Sequence, residues 1–237
     1  MNGKKMFSDL EALLKEHGAA IVAAADLSPL PGESRSGFPV GVCIAVALEP
    51  GIVAGISSGP TIEYFEEYNR ANALLDLLAG ECAARLKKEG FKAKTGQATV
   101  MELDQETLTT PLPHKTVATR AGVGWIGKCA LLVTQSHGPA VRFNTVLTDA
   151  PLPAGEPVSE SFCGNCSLCV EACPAQAASG LEWHPGLERA AFFDAFACRA
   201  EARRLAGEIG LERTICGICI AACPYTQRYL ARHRPAN

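Results

Sequence analysis

Apolar residues recur at helical spacing along two stretches of the chain and run almost unbroken along several others. Met6 to Lys15 carries Phe7, Leu10, Leu13 and Leu14 on one face, which predicts an amphipathic helix. Ile21 to Ala25 reads as a strand. Ser28 to Gly37 is rich in Pro, Gly and Ser and reads as a loop. Val40 to Leu48 is a continuous apolar run, with Gly41 near its start and Pro50 after it, and suits a buried strand. A turn at Ser57 to Pro60 leads into the longest helical pattern, Thr61 to Lys88. Its apolar stripe is Ile62, Phe65, Ala71, Leu74, Leu75, Leu78, Cys82 and Leu86, and Gly90 is placed to stop it. Phe91 to Val100 has room for one or two strands. Val117 to Ala121 reads as a short helix. Ala130 to Thr134 and Val141 to Thr148 read as strands joined by a loop with His137, Gly138 and Pro139. The pattern leaves the strand order open.

The pattern changes across Asp149 to Val158, which contains three prolines. Beyond it the chain is rich in cysteine and reads as short helices, the longest from Leu187 to Leu205. Two domains are expected, an α/β domain over 1–155 and a smaller one over 156–237. The second has too few aliphatic residues for a large core of its own, so metal ligation is expected to supply its folding energy. The 237 residues are 48% hydrophobic, which excludes a disordered chain. A formal net charge of −3 gives no electrostatic grip on nucleic acid or on an anionic membrane. No stretch approaches the roughly 20 apolar residues of a membrane helix. Ala19 to Ala25 is too short, and too closely preceded by an acidic segment, for a signal peptide. The expectation is a cytoplasmic protein with no membrane partner.

Cysteine changes the picture. There are 11, too many to be held as disulfides in a reducing compartment. Cys163, Cys166, Cys169 and Cys173 follow C-x2-C-x2-C-x3-C with Pro174 next. Cys216, Cys219 and Cys223 repeat the last part, with Pro224 next, and Cys198 stands alone between the runs. Such spacing turns successive thiolates around one compact cubane, and the last cysteine of each run reaches the other cluster. One [4Fe–4S] cluster then takes Cys163, Cys166, Cys169 and Cys223, and the second takes Cys173, Cys198, Cys216 and Cys219. Cys198 replaces the ligand that the second run lacks, where Arg213 stands. Two zinc sites are the competing reading; cysteines at intervals of three followed by C-x3-C-P suit zinc poorly. Cys43, in an apolar run, and Cys82, on a helical face, read as small core residues. Cys129 borders a glycine-rich turn and is left open.

That turn is Ala121-Gly122-Val123-Gly124-Trp125-Ile126-Gly127-Lys128. It lacks the G-x4-G-K-[ST] of a phosphate-binding loop and the strand-to-helix setting of a dinucleotide fingerprint. It is either a tight turn with a buried Trp125 or the lining of a ligand site. Of the five histidines, His17, His137, His184 and His233 read as solvent-facing, and His114, just before the turn, is the one candidate for chemistry. The basic tail Arg228 to Arg234 reads as a solvated end.

The run His114 to Lys128 resembles the A-x-x-A-G-L-G-W-x-G-K segment of epoxyqueuosine reductases. Thr148-Asp149-Ala150-Pro151-Leu152 matches their T/V-D-x-P-L. Cys163 to Pro174, the lone Cys198, and Cys216 to Pro224 match their cluster motifs in order. The likeness is strongest over about 110–226. The resemblance implies what this family shares with reductive dehalogenases: a nitroreductase-like α/β domain that holds cobalamin, followed by a small ferredoxin-like domain with two [4Fe–4S] clusters. It implies that Gly122, Gly124, Trp125, Gly127 and Lys128 lie at the corrinoid pocket. It also implies an acidic proton donor, but counting back from Gly122 without gaps reaches Leu108, within Leu108-Thr109-Thr110-Pro111. Asp104 would serve only in a shifted register.

The functional expectation is an iron–sulfur oxidoreductase, passing electrons through both clusters to a corrinoid for reduction of a small substrate. The alternative is an electron-transfer or reductive-activation protein serving a corrinoid or flavin partner; flavin in place of cobalamin is a third reading. No nucleophile–base constellation is visible, so no catalytic residue is assigned. Expected partners are an electron donor such as ferredoxin or flavodoxin, and a small-molecule substrate or a corrinoid protein. The sequence stops at Asn237 without the helical repeats that suit tRNA, so tRNA is not expected as a partner.

Overall fold

The structure is a computed structural model and describes residues 2–99 and 103–234. In chain order the elements are α1 (Gly3–Glu16), β1 (Ile21–Asp26), β2 (Val40–Ala47), α2 (Pro50–Ala54), α3 (Ile62–Lys88), β3 (Ala93–Thr95), α4 (His114–Arg120), β4 (Trp125–Ile126), β5 (Leu132–Val133) and β6 (Val141–Thr148). Then follow α5 (Leu168–Glu171), α6 (Arg189–Phe192), α7 (Ala195–Glu208), α8 (Ile218–Ala222) and α9 (Pro224–Arg232). Among the described residues no helix is long and apolar enough to cross a membrane. Val100, the end of the predicted strand region, lies outside the described residues.

Contacts divide the chain into two compact units, each assembled from three segments. The first comprises Met1–Ala47, Arg70–Val123 and Arg142–Val158, and the second Leu48–Asn69, Gly124–Val141 and Ser159–Asn237.

The first unit is built on a four-stranded sheet in the order β1-β2-β6-β3. β1 runs antiparallel to β2 from Ile21↔Ala45 to Asp26↔Val40, and β3 antiparallel to β6 through Lys94↔Leu147. Val42 to Ala45 of β2 are fully buried, as the unbroken apolar run predicts. α1 is capped by Asn2, whose side chain accepts from the Lys4 N–H at 3.1 Å, and buries Met6, Leu10 and Leu14 at a spacing of four. Most of α3 buries the expected stripe, Ala71, Leu75, Leu78, Cys82 and Leu86, and ends at Gly90 with φ +90°. Its start differs from expectation: Ile62 is 44% exposed, while Tyr64 and Glu67 are buried. That start belongs to the second unit, where the Glu67 carboxylate accepts from the Glu49 N–H at 2.9 Å within the Leu48–Asn69 segment, a bond that helical periodicity does not register. α4 begins at His114 rather than Val117, because Pro113 in an extended conformation sets the helix start.

The second unit holds the β4–β5 hairpin and the short helices. α5 packs on α8, α8 on α9, and α2 on both α8 and α9. The Tyr229 hydroxyl donates to the Leu48 carbonyl at 2.8 Å, fixing α9 to the segment before α2. Two predicted elements are shorter than expected. Ala130 takes φ +58°, which bends the chain and leaves only Leu132–Val133 as strand. The helix expected from Leu187 to Leu205 is broken at Phe193, which bridges to Ala178; Asp194 then caps α7 by accepting from the Phe196 and Ala197 N–H groups, both at 2.9 Å.

Candidate metal centres

The two cysteine runs fold into the same local form. In the first, the Cys166 N–H donates to the Cys163 carbonyl at 3.1 Å, one helical turn (α5) carries Cys169, and Cys173 follows it with its N–H on the Val170 carbonyl at 3.2 Å. In the second, Gly217 at φ +95° turns the chain after Cys216, one helical turn (α8) carries Cys219, and Cys223 follows with its N–H on the Ile220 carbonyl at 3.3 Å. The left-handed turn suits only glycine here; a Cβ would also lie 2.6 Å from Ile56 Cδ1. Each run ends in proline, and Pro224 opens α9 at its first position.

Packing α5 on α8 brings the runs together. The Cys223 thiol is electrostatically coupled to Cys169 and Cys163. Burial pushes it up to about 11, against N–H groups of Thr226 and Tyr225 that favour its thiolate. Cys198 reaches the other set through its own helix. The Asp194 N–H donates to the Ala177 carbonyl at 2.7 Å, so the start of α7 is tied to the segment just after Cys173-Pro174. There the Cys198 thiol is coupled to Cys173 and Cys216, and burial pushes it up to about 11. Cys216 is raised by burial and is also coupled to Cys173. Cys219 shares a hydrogen bond with Cys129. Arg213, where a symmetric repeat would have a cysteine, lies 5.8 Å over the Phe65 ring. Among the described residues no three His, Cys, Asp or Glu side chains converge as closely as a single metal ion requires.

The glycine-rich run divides. Gly122, at φ +73°, ends α4 in the first unit, with its position for a Cβ taken by the Glu156 carbonyl at 2.8 Å. Gly124 to Lys128 fall in the second unit, against the first cysteine run. A Cβ at Gly127 would lie 3.6 Å from Cys163 Sγ, and Lys128 Nζ donates to the Gly164 carbonyl at 2.7 Å. The Gly127 N–H on the Leu131 carbonyl and the Ala130 N–H on the Gly127 carbonyl, both 2.8 Å, close this turn tightly. Lys128 is only 8% exposed. A buried ammonium is costly without a counter-charge, and a cluster ligated by thiolates carries net negative charge.

Cys129 is a contact that spacing gave no means to find. Its thiol shares hydrogen bonds with Cys169 and Cys219; the first favours its thiolate, but the second and burial outweigh it and hold the group well above its usual range. Cys169 is raised chiefly by that same bond. Cys43 and Cys82 are fully buried and pushed up to about 12 by burial, so they are neutral core residues.

The positions expected to carry a proton donor lie on the surface, where Leu103, Asp104, Thr109, Thr110 and Pro111 line a shallow, open depression. Leu108 takes φ +52° there. The Asp104 carboxylate accepts from the Thr107 N–H at 2.8 Å and the Glu106 N–H at 2.9 Å, which holds it below its ordinary value and makes it a poor acid at neutral pH. His114 is locked: Nε2 bonds the Gln97 carbonyl at 2.8 Å and Nδ1 the Thr145 hydroxyl at 2.9 Å. Burial lowers its pKa and keeps the ring neutral.

A mixed α/β fold with two cysteine runs wound on paired helical turns defines the class, and comparison gives its relatives. The chain is 32% identical over 123 residues to the epoxyqueuosine reductase of Synechocystis sp., covering 51% of this chain and 42% of the relative. Its fold matches a catabolic reductive dehalogenase solved with 3-bromo-4-hydroxybenzoic acid, at TM-score 0.73 and 20% identity over 95% of this chain and 32% of that one. It also matches an epoxyqueuosine reductase solved with an epoxyqueuosine-modified tRNA-Tyr stem loop, at TM-score 0.60 and 20% identity over 94% and 66%. The two families named from the motifs are thus the ones this chain is similar to. The chain spans less than half the length of the curated relative it matches. No protein-family model matches it.

The tRNA expectation is corrected by these matches. It rested on net charge and on where the sequence stops. Net charge averages over a surface, whereas RNA is recognised locally by shape and by unstacked bases. The body that aligns with this chain is most of a protein solved with a tRNA stem loop.

Proposed function

We propose that the chain is an iron–sulfur oxidoreductase that passes electrons through two [4Fe–4S] clusters to a bound corrinoid and so reduces an organic substrate. In this reading 1–155 supply a nitroreductase-like α/β part and 156–237 a ferredoxin-like part. Cys163, Cys166, Cys169 and Cys223 hold one cluster, and Cys173, Cys198, Cys216 and Cys219 the other. The observation that carries it is the sorting of thiols into two coupled sets, Cys223 with Cys163 and Cys169, and Cys198 with Cys173 and Cys216. When bound, the clusters supply one-electron transfer and the corrinoid a metal centre at which a carbon–heteroatom bond is reduced. The chain's own part is to hold and tune them. The Tyr225 and Thr226 N–H groups stabilise the Cys223 thiolate, and Lys128 places a buried positive charge on the Gly164 loop. An epoxide carried on tRNA and an aryl halide, named by the two kinds of relative, are the substrates to try.

A second reading, delivery of electrons to a partner protein, is favoured by Leu108 at the acid's position and by Asp104 being held as carboxylate. The test is metal content of protein purified without oxygen and incubated with cobalamin. About eight irons and one retained cobalt per chain is the expected result. About eight irons without cobalt would establish the electron carrier instead, and retained zinc without iron would refute both readings.

A further inference from the structure

The indole Nε1 of Trp125 is buried and, among the described residues, has no hydrogen-bond partner. Buried donors are almost always paired, so an orphan marks either strain or a partner of another kind. Trp125 is 1% exposed. Its ring meets Phe162 edge-on at 5.2 Å and Tyr225 at 4.9 Å. Phe162 immediately precedes Cys163, and Tyr225 lies two residues past Cys223. Those two thiols are coupled to each other. Two residues beyond the indole, Gly127 approaches Cys163 Sγ closely enough that a Cβ would touch it at 3.6 Å. The unpaired N–H therefore sits among the residues that flank two ligands of one set. The other orphaned group, the Thr226 hydroxyl, packs against Gly138, where a Cβ would come within 2.7 Å of it, and is not part of the argument.

We propose that Trp125 Nε1–H donates to a sulfur of the cluster held by Cys163, Cys166, Cys169 and Cys223, and raises that cluster's reduction potential. Reduction adds negative charge to the cluster, so a donor to its sulfur stabilises the reduced form more than the oxidised one. Burial between two aromatic rings keeps water from competing and strengthens the bond. Trp125 is thus a positioning residue that tunes one centre and leaves the other alone. The inference rests on the cluster reading given above, and iron content tests that reading separately.

The experiment is a redox titration of the fully loaded protein, followed by EPR, in the wild type, Trp125→Phe and Trp183→Phe. Phenylalanine keeps an aromatic ring and removes only the donor. Trp125→Phe is expected to keep about eight irons and to make one cluster about tenfold harder to reduce, which is about 59 mV for one electron. The second cluster and the Trp183→Phe control are expected to titrate as wild type. Two unshifted potentials in Trp125→Phe overturn the proposal. Should that variant lose iron, the folded protein still decides. The chain has two tryptophans, so in Trp183→Phe an indole 15N label reports on Trp125 alone. A 15N coupling to the reduced cluster is expected in pulsed EPR, and its absence overturns the proposal. A wild type without iron refutes the cluster reading itself.

Discussion

Replacing Gly124 with alanine drives a methyl group into the backbone of the facing strand. The added Cβ would stand 2.1 Å from the Val133 carbonyl oxygen, 2.9 Å from its carbon and 3.3 Å from Thr134 Cα. An ordinary contact needs more than about 3 Å, so β5 has to retreat by about 1 Å. That retreat strains both pairs of the hairpin, Trp125↔Val133 and Ile126↔Leu132. Overpacking of this kind costs about 1–3 kcal/mol, and each weakened backbone bond adds about 1 kcal/mol, so about 3 kcal/mol is expected. In a chain of this size 1 kcal/mol moves Tm by about 2–4 °C, which gives a fall of about 6–12 °C in the loaded protein, followed by circular dichroism. Gly80→Ala supplies the opposite sign. Gly80 is an exposed position inside α3 with nothing within 4 Å of a Cβ, so alanine gains helix propensity of about 1 kcal/mol and raises Tm by about 2–4 °C. A Gly124→Ala Tm within 2 °C of wild type would refute the close-approach argument.

Cys198→Ala should lower iron from about eight to about four per chain, while Cys43→Ala and Cys82→Ala keep about eight; full iron in Cys198→Ala would show that this cysteine is not a ligand. His114 has a folded pKa below its ordinary 6.5, so the unfolded chain binds the proton first as pH falls. Stability is therefore complete above about pH 6.5 and declines below it, toward the lower folded value. A denaturation midpoint measured against pH should lose that slope in His114→Gln, and a His114 NMR titration centred above 6.5 would contradict the burial argument.

Helices α1 and α3 and strands β1, β2 and β6 were legible in the sequence because their apolar spacing depends only on near neighbours. Each spans enough residues for its period to be unmistakable. The two cysteine runs stand out in the sequence for a similar reason: two or three residues between cysteines is itself a geometric statement. Local pattern failed wherever a distant group decided the outcome. The helix predicted from Leu187 to Leu205 breaks because Phe193 pairs with Ala178 and the Asp194 N–H reaches Ala177. The sheet order β1-β2-β6-β3 sets strands beside each other that are about a hundred residues apart in the chain, and no period encodes that.

At the site the division is sharper still. The sequence by itself determined the spacing of the two cysteine runs and which proline and glycine turns present them. Spacing already grouped Cys198 with Cys173 and Cys216; only the tertiary structure decided that Cys129 bonds Cys169 and Cys219, and that Lys128 and Trp125 close over the Cys163 loop. Those choices come from packing α5 on α8 and from folding the Gly124–Leu131 turn back on the first run. Burial then makes each of them energetically decisive, because an unpaired donor or a lone charge in a dry interior has to find its partner there.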